Sequence, residues 1–405
     1  MIEDTTLYPT GCPVIDPRSL QRETHGKLAA LRAVHPLVQI GEGQFLVLRA
    51  DDVLPLLSDP RVRQVSGQEY IALNRVPEGM TARLQAEFFL FSSGQEHRRK
   101  RGLFARAFSL REIEARRPAV RTAARRILSE LPRDESLDFT TAMASRVPAE
   151  AIAAILGLPE SDAPHLGALV SEVARAISPL YPRERHKQIE EATEALYFYV
   201  ERQLQARLIQ PEDDVLSLLV NAWRAEPDIS AASLIFQIIG VLIAGIDTTR
   251  TALARGTAIL LERPKDWADL RADPALIPGA VAETLRFDPP AGSVTRIVAE
   301  PFEIGGHLVP EGSALRLSLL SALRDPALHH APDVFDMRRR DNPRLHPVFG
   351  HGPHHCLGER LARIELEESL AALLEEAPFA ELLLSPRLEG FGGLRRATPM
   401  RVRLS

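Results

Sequence analysis

Phe349-Gly350-His351-Gly352-Pro353-His354-His355-Cys356-Leu357-Gly358 restricts what this chain can become more than any other stretch. One cysteine stands in a glycine-punctuated loop, directly before a segment, Leu357 to Leu374, that reads as helix. Gly350, Gly352 and Gly358 carry no side chain to block the approach of backbone N–H groups to a single sulfur. The helix start behind that sulfur presents the positive end of a dipole, which lowers a thiol pKa and favours the thiolate. A thiolate held this way suits an iron that must be electron-rich. A lone cysteine in a tight turn is otherwise read as structural. Zinc is a further alternative, with His351, His354, His355 and Cys356 as ligands, but structural zinc draws on two separated pairs and no second pair has matching spacing.

A chain of 405 residues has room for two or three domains. No Ser/Gly linker, low-complexity run or repeat divides it, which favours one large domain over 1–405, with 1–30 as a lead-in. Apolar residues make up 45% and aromatics only 5%, so the core must be mainly Leu, Ala, Val and Ile. The net charge of −5 argues against a nucleic-acid binder. Two cysteines, Cys12 and Cys356, are too few for a disulfide framework and fit a reducing cytoplasm. Met1 to Thr10 has acidic residues and no apolar centre, unlike a signal peptide. The longest apolar run, Leu234 to Ile246, falls short of the roughly 20 residues that span a bilayer.

Along the chain, Leu37–Ile40, the turn Gly41-Glu42-Gly43 and Phe45–Leu48 read as strand, turn and strand. Asp51 or Asp52 caps the short helix expected next. Residues 66–93 read as irregular, with the apolar cluster Phe88-Phe89-Leu90-Phe91. Helical patterning runs from Gln95 to Arg207, with breaks expected near Pro132, Pro148, Pro159 and Pro179. A long helix is expected from Ser230 to Leu261, and another before Pro289-Pro290. Short β segments follow around Thr295–Ile304 and Leu308–Leu317. The expected class is mainly α with a minor β portion.

Three further constellations carry chemistry. Ala244-Gly245-Ile246-Asp247-Thr248-Thr249 puts an acid and two hydroxyls on an apolar helix, out of place unless they meet water or a partner. Gly245 weakens that helix locally and Thr248 can divert a backbone hydrogen bond. Glu283 and Arg286, three apart, share a helix face and can pair through two hydrogen bonds. In His97-Arg98-Arg99-Lys100-Arg101, His97 and Arg101 share one face, while Arg98, Arg99 and Lys100 read as a solvated basic face.

Taken together, F-G-x-G-x-H-x-C-x-G, A-G-x-D-T-T, E-x-x-R and H-x-x-x-R, in that family's order along the chain from Val38 onward, resemble the cytochrome P450 family of soluble bacterial type. The resemblance implies the P450 fold, haem b as cofactor and Cys356 as axial ligand of the haem iron, with Phe349, Gly350 and Gly358 shaping its loop. It implies Ala244 and Gly245 beside the haem, Thr248 hydrogen-bonded to the dioxygen, and Asp247 relaying protons. His97, Arg101, Arg296 and His354 would meet the propionates, since buried charge needs partners. Glu283 and Arg286 would form a structural triad with Arg338 of Phe335-Asp336-Met337-Arg338, Arg340 being the alternative because the stretch to Phe349 looks lengthened. Leu323 stands where Asn is common before Arg324-Asp325-Pro326.

The implied activity is monooxygenation of a hydrophobic small molecule, terpenoid or polyketide-like in preference to a fatty acid. Tyr70–Phe91, Ile177–Tyr181, Ile239, Gly240, Ala244, Ala291–Val294 and Phe391–Leu394 would line its pocket. The partners implied are O2 and a ferredoxin with its NAD(P)H-dependent reductase, drawn to Arg98, Arg99, Lys100, Arg106, Arg360 and Arg363. A peroxide-dependent haem-thiolate enzyme and a non-catalytic haem sensor are the rivals; Asp247-Thr248 weighs against the first and the lack of an output domain against the second.

Overall fold

The computed structural model describes residues 11–177, 181–342 and 346–405. The expectations for Met1–Thr10 and for a break at Pro179 lie outside these residues, as does part of the stretch between Arg338 and Phe349. Helices predominate and strands are few. The chain forms two compact units: Met1–Val65, Ala282–Cys356 and Leu388–Arg396 in one, and Ser66–Val281, Leu357–Arg387 and Ala397–Ser405 in the other.

The first unit is built on a five-stranded sheet in the order Leu37–Gly41, Gln44–Val47, Ala314–Ser318, Ser293–Val298 and Val62–Gln64. The first two strands are the antiparallel hairpin expected around Glu42. Gln44–Val47 runs parallel to Ala314–Ser318, with Phe45 opposite Leu315. Alternation sends Leu37, Phe45, Val47, Leu315 and Leu317 into one core cluster and Val38, Ile40, Leu46 and Leu48 into another. Asp51 and Asp52 do not cap the next helix, Ala50–Leu56; they sit in its first turn, where negative charge favours the dipole. The Ala50 N–H donates instead to the Asp325 carboxylate at 2.8 Å, from the distant Arg-Asp-Pro turn.

The second unit is mainly helical, with a small sheet of Ser136–Asp138, Arg401–Arg403 and Glu381–Leu384. Its core helix, Ala231–Leu261, starts where expected: the Ser230 hydroxyl accepts from Ser233 N at 3.0 Å. At 31 residues it is long and apolar enough to cross a membrane, a length hidden by counting only the run to Ile246. It is a core element instead, flanked by the helices Arg146–Leu156, Ala163–Val173, His186–Ile209 and Glu359–Glu376, with 72% of its most apolar window buried. Residues 66–93 are not irregular. They form the helices Gly67–Asn74 and Met80–Glu87, the first opened by a capping box between Ser66 and Glu69. The break expected near Pro148 falls just before it, at Ser145 between the π-helical turn Thr140–Ala144 and the helix Arg146–Leu156, whose first turn holds Pro148, where no backbone donor is needed.

Candidate functional site

In the first unit the cysteine loop is closed by Cys356 N donating to Phe349 O at 2.8 Å and His355 N donating to Gly352 O at 3.0 Å. Gly350 and Gly352 have φ of +73° and +70°, a region that side chains resist. A Cβ at Gly352 would also stand 2.9 Å from Ser58. Gly358 has an ordinary φ of −95°, so its backbone conformation does not demand a glycine. Cys356 is exposed, whereas Cys12 is sealed in the core, where burial pushes its thiol up to about 11. Of the two cysteines, Cys356 is the accessible one.

Arg296, on the strand Ser293–Val298, is buried, yet its acceptors are neutral: Gln64 Oε1 at 2.6 Å, Thr295 O at 3.0 Å and Leu57 O at 3.2 Å. Burial alone pulls its pKa down to about 10. Through Leu57 and Ser58, the end of one helix touches both Arg296 and Gly352. His354, half-buried, ends the turn Gly352–His354.

The structural triad differs from expectation by one residue. Glu283 and Arg286 are fully buried and pair through Nε to Oε2 at 2.7 Å and a terminal nitrogen to Oε1 at 2.8 Å. The third member is Arg339, whose Nε reaches Glu283 Oε2 at 3.1 Å; Arg338 is exposed. The cause is a turn at Asp336, whose carboxylate accepts from Arg338 N and whose carbonyl accepts from Arg339 N. That turn sends the following side chain inward. Leu323 supplies its backbone carbonyl to Arg286 at 2.9 Å.

In the second unit, the core helix is buried at Ile243, Ile246 and Asp247, yet Ala244 is exposed and Gly245 and Thr248 are half-exposed. An apolar helix is thus open along one face at its middle. The Thr248 hydroxyl donates to Ala244 O at 2.6 Å, which leaves its oxygen lone pairs facing outward as acceptors. Asp247 is held by Arg250, one turn along, and Arg250 also donates to Ser171 Oγ at 3.1 Å. A Cβ at Gly245 would meet Ile152 at an ordinary 3.5 Å, so crowding does not explain that glycine. Glu365, on the helix Glu359–Glu376, is buried beside Thr249; burial raises its pKa well above 4.5, and the Thr249 hydroxyl pulls the other way without reversing the shift. Neither Arg250 nor Glu365 was singled out from sequence, although the spacing of Arg250 from Asp247 was there to be read.

On the helix Gly94–Gly102, His97 is buried against the Phe89 ring, 6.0 Å between centroids. Burial, then the nearby Arg101 and Arg98, bring its pKa down to about 4. Of the expected solvated basic face, Arg98 is exposed and Arg99 partly so, and only Lys100 departs from it. Lys100 is buried and held by Glu87 at 3.1 Å and Glu96 at 2.7 Å. Arg99 pairs with Asp228 at 2.5 Å, Arg363 with Glu359 at 3.0 Å, and Arg360 with Glu114. Gly240 is not open to a ligand, since Phe88 covers it. Among the described residues, no three His, Cys, Asp or Glu side chains gather as a metal-binding group.

Residues 150–380 match the family model for cytochrome P450. The plant-inducible cytochrome P450-pinF1 of Rhizobium radiobacter is 39% identical over 95% of this chain and 91% of its own length. The chain belongs to the cytochrome P450 family. Nocardicin C N-oxygenase of Nocardia uniformis is 34% identical, over 95% of this chain and 94% of that protein. The solved P450BioI, in complex with an acyl carrier protein bearing hexadec-9Z-enoic acid, aligns with a TM-score of 0.86 at 26% identity, over 96% of this chain and all of that one. P450 proteins bind haem b through a cysteine thiolate and act as monooxygenases. The residues present fit that group: Cys356 is an accessible sulfur, and Arg296 is a buried cation whose acceptors carry no charge.

Proposed function

We propose that the Cys356 sulfur would hold haem b and that this P450 inserts one oxygen atom from O2 into a C–H bond of a hydrophobic small molecule. The single observation that carries the reading is the pairing, within one unit, of an exposed Cys356 in a left-handed glycine loop with the charge-unmatched Arg296. Haem, when bound, supplies the activation of oxygen. The chain's own residues do the rest. Arg296, His97, Arg101 and His354 would bind the propionates, and His97, uncharged near neutral pH, offers a ring N–H to an anion amid two arginines. Thr248 receives a hydrogen bond at Oγ1, because its own proton is committed to Ala244 O. Asp247, held in place by Arg250 and next to Thr248 in sequence, would help relay protons.

A terpenoid or polyketide-sized substrate agrees with the small, apolar open face at Ala244 and Gly245. Electrons come from a ferredoxin in the cytoplasm, where a buried free Cys12 stays reduced. With most cations already paired, docking relies on Arg98 and Arg106, which remain exposed. Thr248→Ala tests the chemistry: oxygen and reductant should be consumed with peroxide released and little product formed. Undiminished product with peroxide as sole oxidant would favour the peroxide-dependent alternative.

A further inference from the structure

The open face of the core helix ends abruptly. Residues 236, 240, 244 and 248 follow one another at i, i+4 and so share a face. Thr248 and Ala244 are accessible, whereas Gly240 and Phe236 are buried. The change occurs within four residues, about 6 Å of helix. Phe88 produces it. Its ring lies so close to Gly240 that an added Cβ would stand 2.2 Å from the ring carbons Cδ2 and Cε2.

The ring is held from behind. The Gln237 side chain, fully buried, accepts from Phe89 N at 2.8 Å and donates to Glu87 O at 2.7 Å. One amide therefore grips the backbone on both sides of Phe88, as a neighbouring strand would. Glu87 is fixed in turn by Ser233 Oγ at 2.7 Å and by Lys100 at 3.1 Å. Each buried polar group in this knot has a partner, which makes the arrangement stiff.

The geometry points to Phe88, clamped by Gln237 over Gly240, as the residue that sets substrate length. It walls off the helix surface beyond Ala244, so the chain accepts a compact, ring-like skeleton and rejects a long straight acyl chain. Gln237 is a positioning residue, acting through Phe88. This deepens the proposed monooxygenase reading and rests on the placement of the substrate beside Ala244.

The test is ligand binding to the haem-loaded protein, read from the low- to high-spin shift, with a bicyclic monoterpene and straight-chain fatty acids of increasing length. The native protein should bind the terpene and bind the acids more weakly as they lengthen. Phe88→Ala should gain about tenfold or more in affinity for the longest acids. Gln237→Leu, which keeps the ring but frees it, should move the same way by a smaller factor. Gly240→Ala, which pushes the ring off the helix, should also shift the length limit. Native binding of long acids as tight as short ones would overturn the wall, as would an unchanged length dependence in Phe88→Ala and Gln237→Leu. The thiolate signature of the carbon monoxide complex, measured on each folded variant, separates these outcomes. If it is present and lengths are unaffected, the wall alone fails. If it is missing from the native protein, the monooxygenase reading fails with it.

Discussion

Arg339 illustrates how much one turn decides. Three arginines in succession, 338 to 340, gave the sequence no means of choosing which would meet Glu283. The choice is made by the Asp336 carboxylate and carbonyl, which set the direction of the chain. Arg339→Ala leaves Glu283 paired with Arg286 but strips it of a charge-assisted hydrogen bond and frees the His330 and Val334 carbonyls, each bond to a charged group being worth about 1.5–3 kcal/mol. Arg339→Ala should therefore lower the unfolding free energy by about 3 kcal/mol, while Arg338→Ala, at an exposed position, should stay within about 0.5 kcal/mol. Chemical denaturation of the two variants checks this; equal losses would restore Arg338 to the triad. Residues tied to a short pattern, such as Cys356 and Asp247, were singled out because each stands apart from its surroundings, a thiol among glycines and an acid on an apolar helix. Arg250, Gln237 and Glu365 were not, since nothing in a local window says which polar side chain will be buried.

Among the elements, the core helix was the most readable, with its Ser230 cap and apolar length. The helices at Gly67–Asn74 and Met80–Glu87 were harder. The first is opened by the local Ser66–Glu69 capping box, whereas the second takes its cap from Glu190, whose carboxylate accepts from Met80 N and Thr81 N across more than 100 residues. No local reading finds that contact. The helix Glu359–Glu376 holds a further test. Its acids lie on several faces, and most are drawn to a belt of arginines on Arg117–Ser129, as in Arg117 to Glu368 at 2.6 Å and Arg125 to Glu376 at 2.8 Å. Glu365 faces the core instead. Its folded pKa is raised, so the folded protein holds a proton that the unfolded chain releases. The stability tied to that proton is complete below 4.5 and drains away as pH climbs through the raised value. Glu365→Gln should flatten this decline, giving a melting temperature that falls less than the native one between mildly acidic and alkaline pH. Parallel melting curves at every pH would contradict it.

For the whole molecule, the mainly helical class and the small β portion followed from periodicity, and the P450 family from four ordered motifs. The two compact units did not, because each is assembled from segments far apart in sequence and no linker marks their boundary. The sheet carries Arg296, the loop beside it carries Cys356, and the helical unit carries Thr248, Asp247 and His97. Everything proposed about the reaction depends on sulfur ligation of haem by the single accessible cysteine. The measurement that tests it is the absorption spectrum of the reduced, carbon monoxide-bound protein after haem supplementation. The account predicts a Soret band displaced to long wavelength by a thiolate ligand in the native protein and lost in Cys356→Ser. A native band where myoglobin's lies, or a protein that stays colourless, would contradict it.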